Sequence, residues 1–203
     1  MSSPIPLSCD CGAVRGEITM SPGDANHCVC FCDDCQAFAA ALGREDVLDA
    51  WGGTDIVQTA PARLRITQGE GELRALRLGP KGLVRWYTAC CKTPVGNMMA
   101  TPRSPFVGVI SRFIALDAEA RDKAVGPVSV HLMGRYAKGG CPAHAHPGVP
   151  LSAMPGMAKV LLRTLFTGGH SPSPFVLDGA WRVEPEVLSP EARAKLSPGA
   201  PAP

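Results

Sequence analysis

The stretch DIVQTAPARLRITQGEGELRALRL, Asp55 to Leu78, followed after GPK by GLVRWYTA, Gly82 to Ala89, decides the fold class. Apolar residues recur in it at strand length: Ile56 and Val57, Leu64 and Ile66, Leu73 with Ala75 and Leu76, Val84 with Trp86. GEGE at Gly69–Glu72 and LGPKG at Leu78–Gly82 carry turn residues, and they predict hairpin connections between the flanking strands. Working outward, AVRGEITM (Ala13–Met20) and FVGVISRF (Phe106–Phe113) have the same character. The 20 prolines and 22 glycines favour strands and turns over long helices. Residues 1–115 therefore read as an antiparallel β domain, which carries all the clustered cysteines.

Past residue 115 the pattern changes. LDAEARDKAV predicts a short helix capped by Asp117, GMAKVLLRTLF a longer one stopped by Gly168, and SPEARAKL a third with Ser189 as N-cap. Residues 116–196 thus read as a C-terminal extension with helices packed on the β domain, and 197–203 as a disordered tail. Hydrophobic residues are 45% of the chain, enough for a sizeable core, and the net charge of +2 comes without any basic run. That balance argues against nucleic-acid and membrane partners. The opening MSSPIPLS has no secretory pattern and no window has the apolar length of a membrane span, so a cytoplasmic, reducing location is expected. There, an odd count of nine cysteines points to metal ligation more than to disulfides.

The cysteines fall into two sets. Cys9 and Cys11 in CDCG supply two thiolates, with Gly12 letting the chain turn between them and the next strand. Two ligands do not complete a tetrahedral zinc site, so the remainder comes from Cys91, with Cys90 beside it. Adjacent residues on a strand point oppositely, so only one of that pair serves unless the chain turns there. This would be a closed, structural ion.

Cys30, Cys32 and Cys35 in CFCDDC place three thiolates where one loop can wrap one ion. A fourth position then stays open for water, hydroxide or a substrate thiol, as in a catalytic zinc. Three thiolates exceed the charge of Zn2+ and weaken it as a Lewis acid, which suits thiol chemistry better than water activation. The alternative is that Cys28 or His27 closes the site, since Cys28, Cys30 and Cys32 would share one face of a strand. Asp33 and Asp34 read as turn formers, Trp51 and Trp86 as core. CPAHAHP, Cys141–Pro147, reads as an exposed loop; a third metal site, or an acid–base role for His144 or His146 over the Cys30 zinc, are the alternatives. Arg112, Arg135 and Lys138 are available cations for the carboxylates of a peptide-like thiol.

CDCGAV, CFCDDCQ and YTACCKTPVG, in that order, resemble the glutathione-dependent formaldehyde-activating enzyme family, which also includes centromere protein V. The resemblance covers the first half to two-thirds of the chain. It implies two packed antiparallel sheets with zinc-binding loops, similar to methionine sulfoxide reductase B, with Cys9, Cys11 and Cys91 around a structural zinc. It also implies a catalytic zinc at Cys30, Cys32 and Cys35, and a carbon–sulfur lyase reaction on an adduct such as S-hydroxymethylglutathione. Phe31 stands where the family has His, Thr88 where it has the first late cysteine, and Lys92 where it has glycine; either Cys90 substitutes for the missing ligand by a shifted turn or the structural site is incomplete. The expectation is a zinc-dependent enzyme acting on a small-molecule thiol or thiol adduct. A non-catalytic zinc-stabilised binding module is the main alternative, and a sulfoxide reductase using Cys90 or Cys141 a weaker one. The oligomeric state is open.

Overall fold

The computed structural model describes residues 4–196; the tail expected at 197–203 lies outside them. The chain is mainly β, with packed antiparallel and mixed sheets. Strands β1 (Ile5–Ser8) and β2 (Arg15–Ile18) lead into β3 (Asn26–Cys30) and helix α1 (Asp33–Leu42). Then follow β4 (Thr54–Thr59), β5 (Leu64–Gln68), β6 (Leu73–Arg77), β7 (Val84–Thr88), β8 (Pro94–Met98) and β9 (Val107–Ile110). The remainder supplies α2 (Ala118–Val125), β10 (Val130–Leu132), α3 (Met154–Thr167), β11 (Val176–Leu177), β12 (Ala180–Trp181), β13 (Glu186–Val187) and α4 (Pro190–Ala194).

One sheet has three strands in the order β1-β2-β5 and another has eight, β10-β3-β4-β9-β8-β7-β6-β13; β11 and β12 pair by themselves. Register assigns the faces of the large sheet, because residues paired across strands point the same way. Val57 pairs with Val109, Val109 with Gly96, Gly96 with Trp86 and Trp86 with Ala75. That face meets Ile5, Leu7, Ile18, Leu64 and Ile66 of the small sheet in the main core. Phe175 and Trp181 close it over Trp86, with ring centroids 4.8 and 5.9 Å away. The opposite face runs through Cys28, Ile56, Ile110, Asn97, Arg85 and Leu76. Helix α1 covers it with Ala37 and Phe38.

GEGE is not a hairpin. It forms a 3-10 turn at Glu70–Glu72, and the strands it joins lie in different sheets, β5 on β2 and β6 on β7. Pro61 imposes a second 3-10 turn at Pro61–Arg63, which divides DIVQTAPARLRITQ and sends β5 away from β4. LGPKG does close a hairpin, between β6 and β7.

Beyond residue 115, Asp117 caps α2 by accepting from the Ala120 N–H at 2.8 Å, and Ser189 caps α4 through Ala192 at 3.2 Å. Helix α3 ends at Gly168 in the left-handed conformation. The same region also extends the large sheet at both edges, with β10 parallel to β3 and β13 parallel to β6. Among the described residues no helix is long and apolar enough to cross a membrane.

Candidate metal centres

Cys9 and Cys11 lie in the loop after β1, and Cys90 and Cys91 in the turn after β7; their four sulfurs all fall within 4.8 Å of one another. Cys9 Sγ is 3.6 Å from Cys11 Sγ and 3.8 Å from Cys90 Sγ, and Cys90 is 3.8 Å from Cys91. Four sulfurs about 2.3 Å from a tetrahedral zinc sit about 3.8 Å apart, so the donor set fits that ion. Both late cysteines take part because the chain turns at that point. The Lys92 N–H donates to the Thr88 carbonyl at 2.9 Å, and Lys92 adopts a φ of 57°, where the resemblance places glycine.

The surroundings favour sulfur anions unevenly. Burial raises the Cys91 thiol, but the hydroxyls of Thr88 and Thr93 and nearby backbone N–H groups outweigh it, bringing its pKa down to about 5. Burial and the neighbouring thiols push Cys90 up to about 12, and burial raises Cys9 even though the Val14 N–H donates to its sulfur at 3.2 Å. Arg44 braces the turn, donating to the Cys91 carbonyl at 3.1 Å and pairing with Asp10 and Asp46. Arg112 pairs with Asp10 at 2.9 Å, next to this centre.

The second centre is local. Cys30 ends β3, Cys32 is the N-cap of α1 and Cys35 lies in the helix's first turn, its N–H donating to the Cys32 carbonyl at 3.0 Å. Their sulfurs also fall within 4.8 Å of one another. Half of the expected loop is therefore helix, and Cys32 is not on the strand with Cys28. The Cys35 thiol is lowered well below its usual value by hydrogen bonds from Cys30 and Cys32 and, against burial, by the Arg85 guanidinium. Hydrogen bonding to the other two thiols raises Cys30; for Cys32 the bond with Cys30 acts downward, but the bond with Cys35 and burial outweigh it and bring the thiol up to about 12.

No fourth ligand joins the triplet among the described residues. Cys28 is buried on the same face but outside the cluster, its thiol pushed up to about 12 by burial. His27 points to the other face, where Asp55 meets Nε2 and the Gly126 carbonyl meets Nδ1, both at 2.7 Å. Phe31, fully buried, brings no polar atom. Nor do Cys141, His144 and His146 form a third metal cluster among the described residues. His144 packs edge-on to Trp51 and His131, and His131 pairs in register with Val29, on the face opposite Cys30. Trp51 is 44% exposed and so is not core. Arg135 donates to the Pro147 carbonyl at 3.0 Å, with its guanidinium 5.7 Å from the centre of the Tyr136 ring. Asp33 and Asp34 are held by Arg193 of α4, which fastens the helix start instead of forming a turn.

Sequence reading missed two parts of this centre. Helix α1 had a signal in QAFAAALG, a run of helix formers ending at Gly43, which is left-handed at φ 65°. Arg85 was the other, a charge in the middle of the apolar run LVRWY. It is 2% exposed and donates to Asn97 Oδ1 at 3.2 Å.

Fold and clusters define a mainly β protein with two cysteine groups able to hold metal ions, a donor set compatible with zinc. The chain belongs to the family of unknown function DUF6151, whose model matches residues 1–186. A crystal structure of a Rhodobacter sphaeroides protein from a structural genomics programme is similar at 18% identity and a TM-score of 0.41, covering 60% of this chain and 98% of that one. No curated protein matches the chain.

Proposed function

We propose that the protein is a zinc-dependent carbon–sulfur lyase-like enzyme that makes or breaks an adduct between a small thiol and an aldehyde. The observation that carries this reading is the difference in ligand count: four cysteines close one centre, three leave the other with a free position. Zinc held by Cys30, Cys32 and Cys35 would take a substrate thiol there and lower its pKa. In the forward direction a sulfur–carbon bond forms at the carbonyl carbon, and the proton lost by sulfur ends on the former carbonyl oxygen. No oxidant or reductant is involved.

The chain's own residues suit that role. Cys30 and Cys32 are partly exposed and open to a ligand, while Cys35 is anchored beneath them. Ile56, Leu132, Met133 and Ala153 pack around these cysteines in one apolar cluster, which strengthens electrostatic interactions at the sulfurs. Nine unpaired cysteines suit the reducing cytoplasm. The motif resemblance suggests glutathione and formaldehyde as the first pair to try.

The test is zinc content with X-ray absorption of its ligands, alongside turnover of thiol–aldehyde pairs. Two zincs are expected, one with a light fourth ligand, and Cys32→Ser should lose one zinc and all activity. Full activity without that metal would sink the proposal. A non-catalytic binding module is the second reading, favoured by the apolar outer face of α3, where Leu165 is 62% and Phe166 86% exposed. Four protein ligands on both ions would favour it.

A further inference from the structure

Three thiolates and one divalent cation leave a net negative charge, and in the second centre Cys35 carries it into the protein interior. Arg85 lies on the same side of the large sheet, beneath α1. Its guanidinium stands 5.5 Å from the centre of the Phe38 ring and shares a small enclosed space with Cys35, Thr54, Asn97 and Ile110. A guanidinium does not lose its proton, so its charge needs an anion nearby. Asn97 is neutral. Asp34 Oδ2 makes a loose ion pair with it at 3.6 Å while Asp34 Oδ1 meets Arg193 at 2.9 Å, so that carboxylate is shared between two guanidinium groups. The Cys35 sulfur lines the same enclosed space as Arg85, and as a metal-bound thiolate it would be the second anion beside that guanidinium.

The four-cysteine centre contrasts with this. Cys11 and Cys90 are exposed, so water screens its charge, and Arg44 and Arg112 are taken by Asp10 and Asp46.

We propose that Arg85 is the buried counter-charge of the Cys30–Cys32–Cys35 centre, a positioning residue that strengthens metal binding there and lets the open position accept an anionic sulfur ligand. This rests on the metal-centre reading above. With Arg85 counted, three thiolates and one divalent cation would sum to about zero instead of about −1, so a bound fourth thiolate would leave the group at about −1 instead of about −2.

Chelator competition for zinc on the full-length protein tests the idea, with Cys32→Ser marking which zinc belongs to the triplet. Arg85→Gln should weaken that zinc by about 10- to 100-fold, leave the four-cysteine zinc in place as an internal control of folding, and cut the affinity for an added thiol. Arg85→Lys keeps the charge and should stay within a few-fold of wild type. Asn97→Asp has nearly the shape of Asn97 but cancels the charge of Arg85, so it should weaken the same zinc by about tenfold; this variant decides the matter if Arg85→Gln does not fold. Unchanged affinity in Arg85→Gln or Asn97→Asp, or an Arg85→Lys loss as large as that of Arg85→Gln, overturns the counter-charge role. Wild-type protein holding a single zinc overturns the metal-centre reading and this inference together.

Discussion

The two cysteine centres use one side chain for two different ends. In the first, Cys9 and Cys90 meet at 3.8 Å across a sequence separation of 81, joining the end of a small-sheet strand to the end of a large-sheet strand. In the second, three ligands come from one strand end and the helix start next to it, within Cys30–Cys35. A metal that closes a long loop removes much freedom from the unfolded chain; one that closes a short loop removes little. With a metal bound, the first centre would therefore be a staple with four cysteine ligands. The second would contribute less to the fold, and its three cysteines would leave the ligand shell incomplete.

The largest effect should come from breaking the staple. Structural zinc sites supply about 10–16 kcal/mol of binding free energy in small domains. Cys9→Ser should accordingly lower the melting temperature by roughly 15 °C or more, read by circular dichroism together with zinc content. Cys32→Ser should lose its zinc with a much smaller shift. Equal shifts in the two variants would erase the contrast. Graded chelation sharpens it further: the open centre should release its metal first and the closed one later, in two separate steps, and a single step would contradict the assignment.

Thr93→Ala probes the staple's support. The Thr93 hydroxyl lies 3.1 Å from Cys91 Sγ and accepts the Asp10 N–H at 3.1 Å, all in a buried position. Its loss should cost about 1–3 kcal/mol, measured by denaturant unfolding of the zinc-loaded protein. A cost near zero would mean the hydroxyl does not support the turn.

The smallest expected effect is a pH slope from the strand that carries Cys30. Burial disfavours the charged form of His27, but the Asp55 carboxylate and the Gly126 carbonyl outweigh it and hold its pKa above the ordinary value. Arg121 pairs with Asp55 at 2.9 Å, and Asp122 stands 3.8 Å from Nδ1. A raised pKa means the stabilisation is complete below about pH 6.5 and fades as pH rises through the folded-state value. Wild-type stability should thus fall between about pH 6 and 8, while His27→Gln should show a flatter profile; a flat wild-type profile would remove His27 from the account.

Local chemistry was legible without the structure. The caps at Asp117 and Ser189, the hairpin at LGPKG and the Cys30, Cys32 and Cys35 triplet each depend on neighbours a few residues away. The failures share a cause. GEGE has good turn residues, but turn chemistry does not say which strand will pair with which. Strands β10 and β13, three and two residues long, are too short to show a period. Asp33 and Asp34 resembled turn formers because their partner, Arg193, lies about 160 residues away.

By itself, then, the sequence determined a β-rich chain with thiols in two sets spaced so that they could hold metal ions, since strand period and ligand spacing are written in consecutive residues. Only the tertiary structure decided that Cys90 and Cys91 both face Cys9, that the Cys30 triplet lacks a fourth ligand among the described residues, and that Arg85 stands behind Cys35. Those outcomes turn on where separate elements come to rest in space. Charge compensation and ligand count are sums over neighbours, and most of those neighbours are distant in the chain.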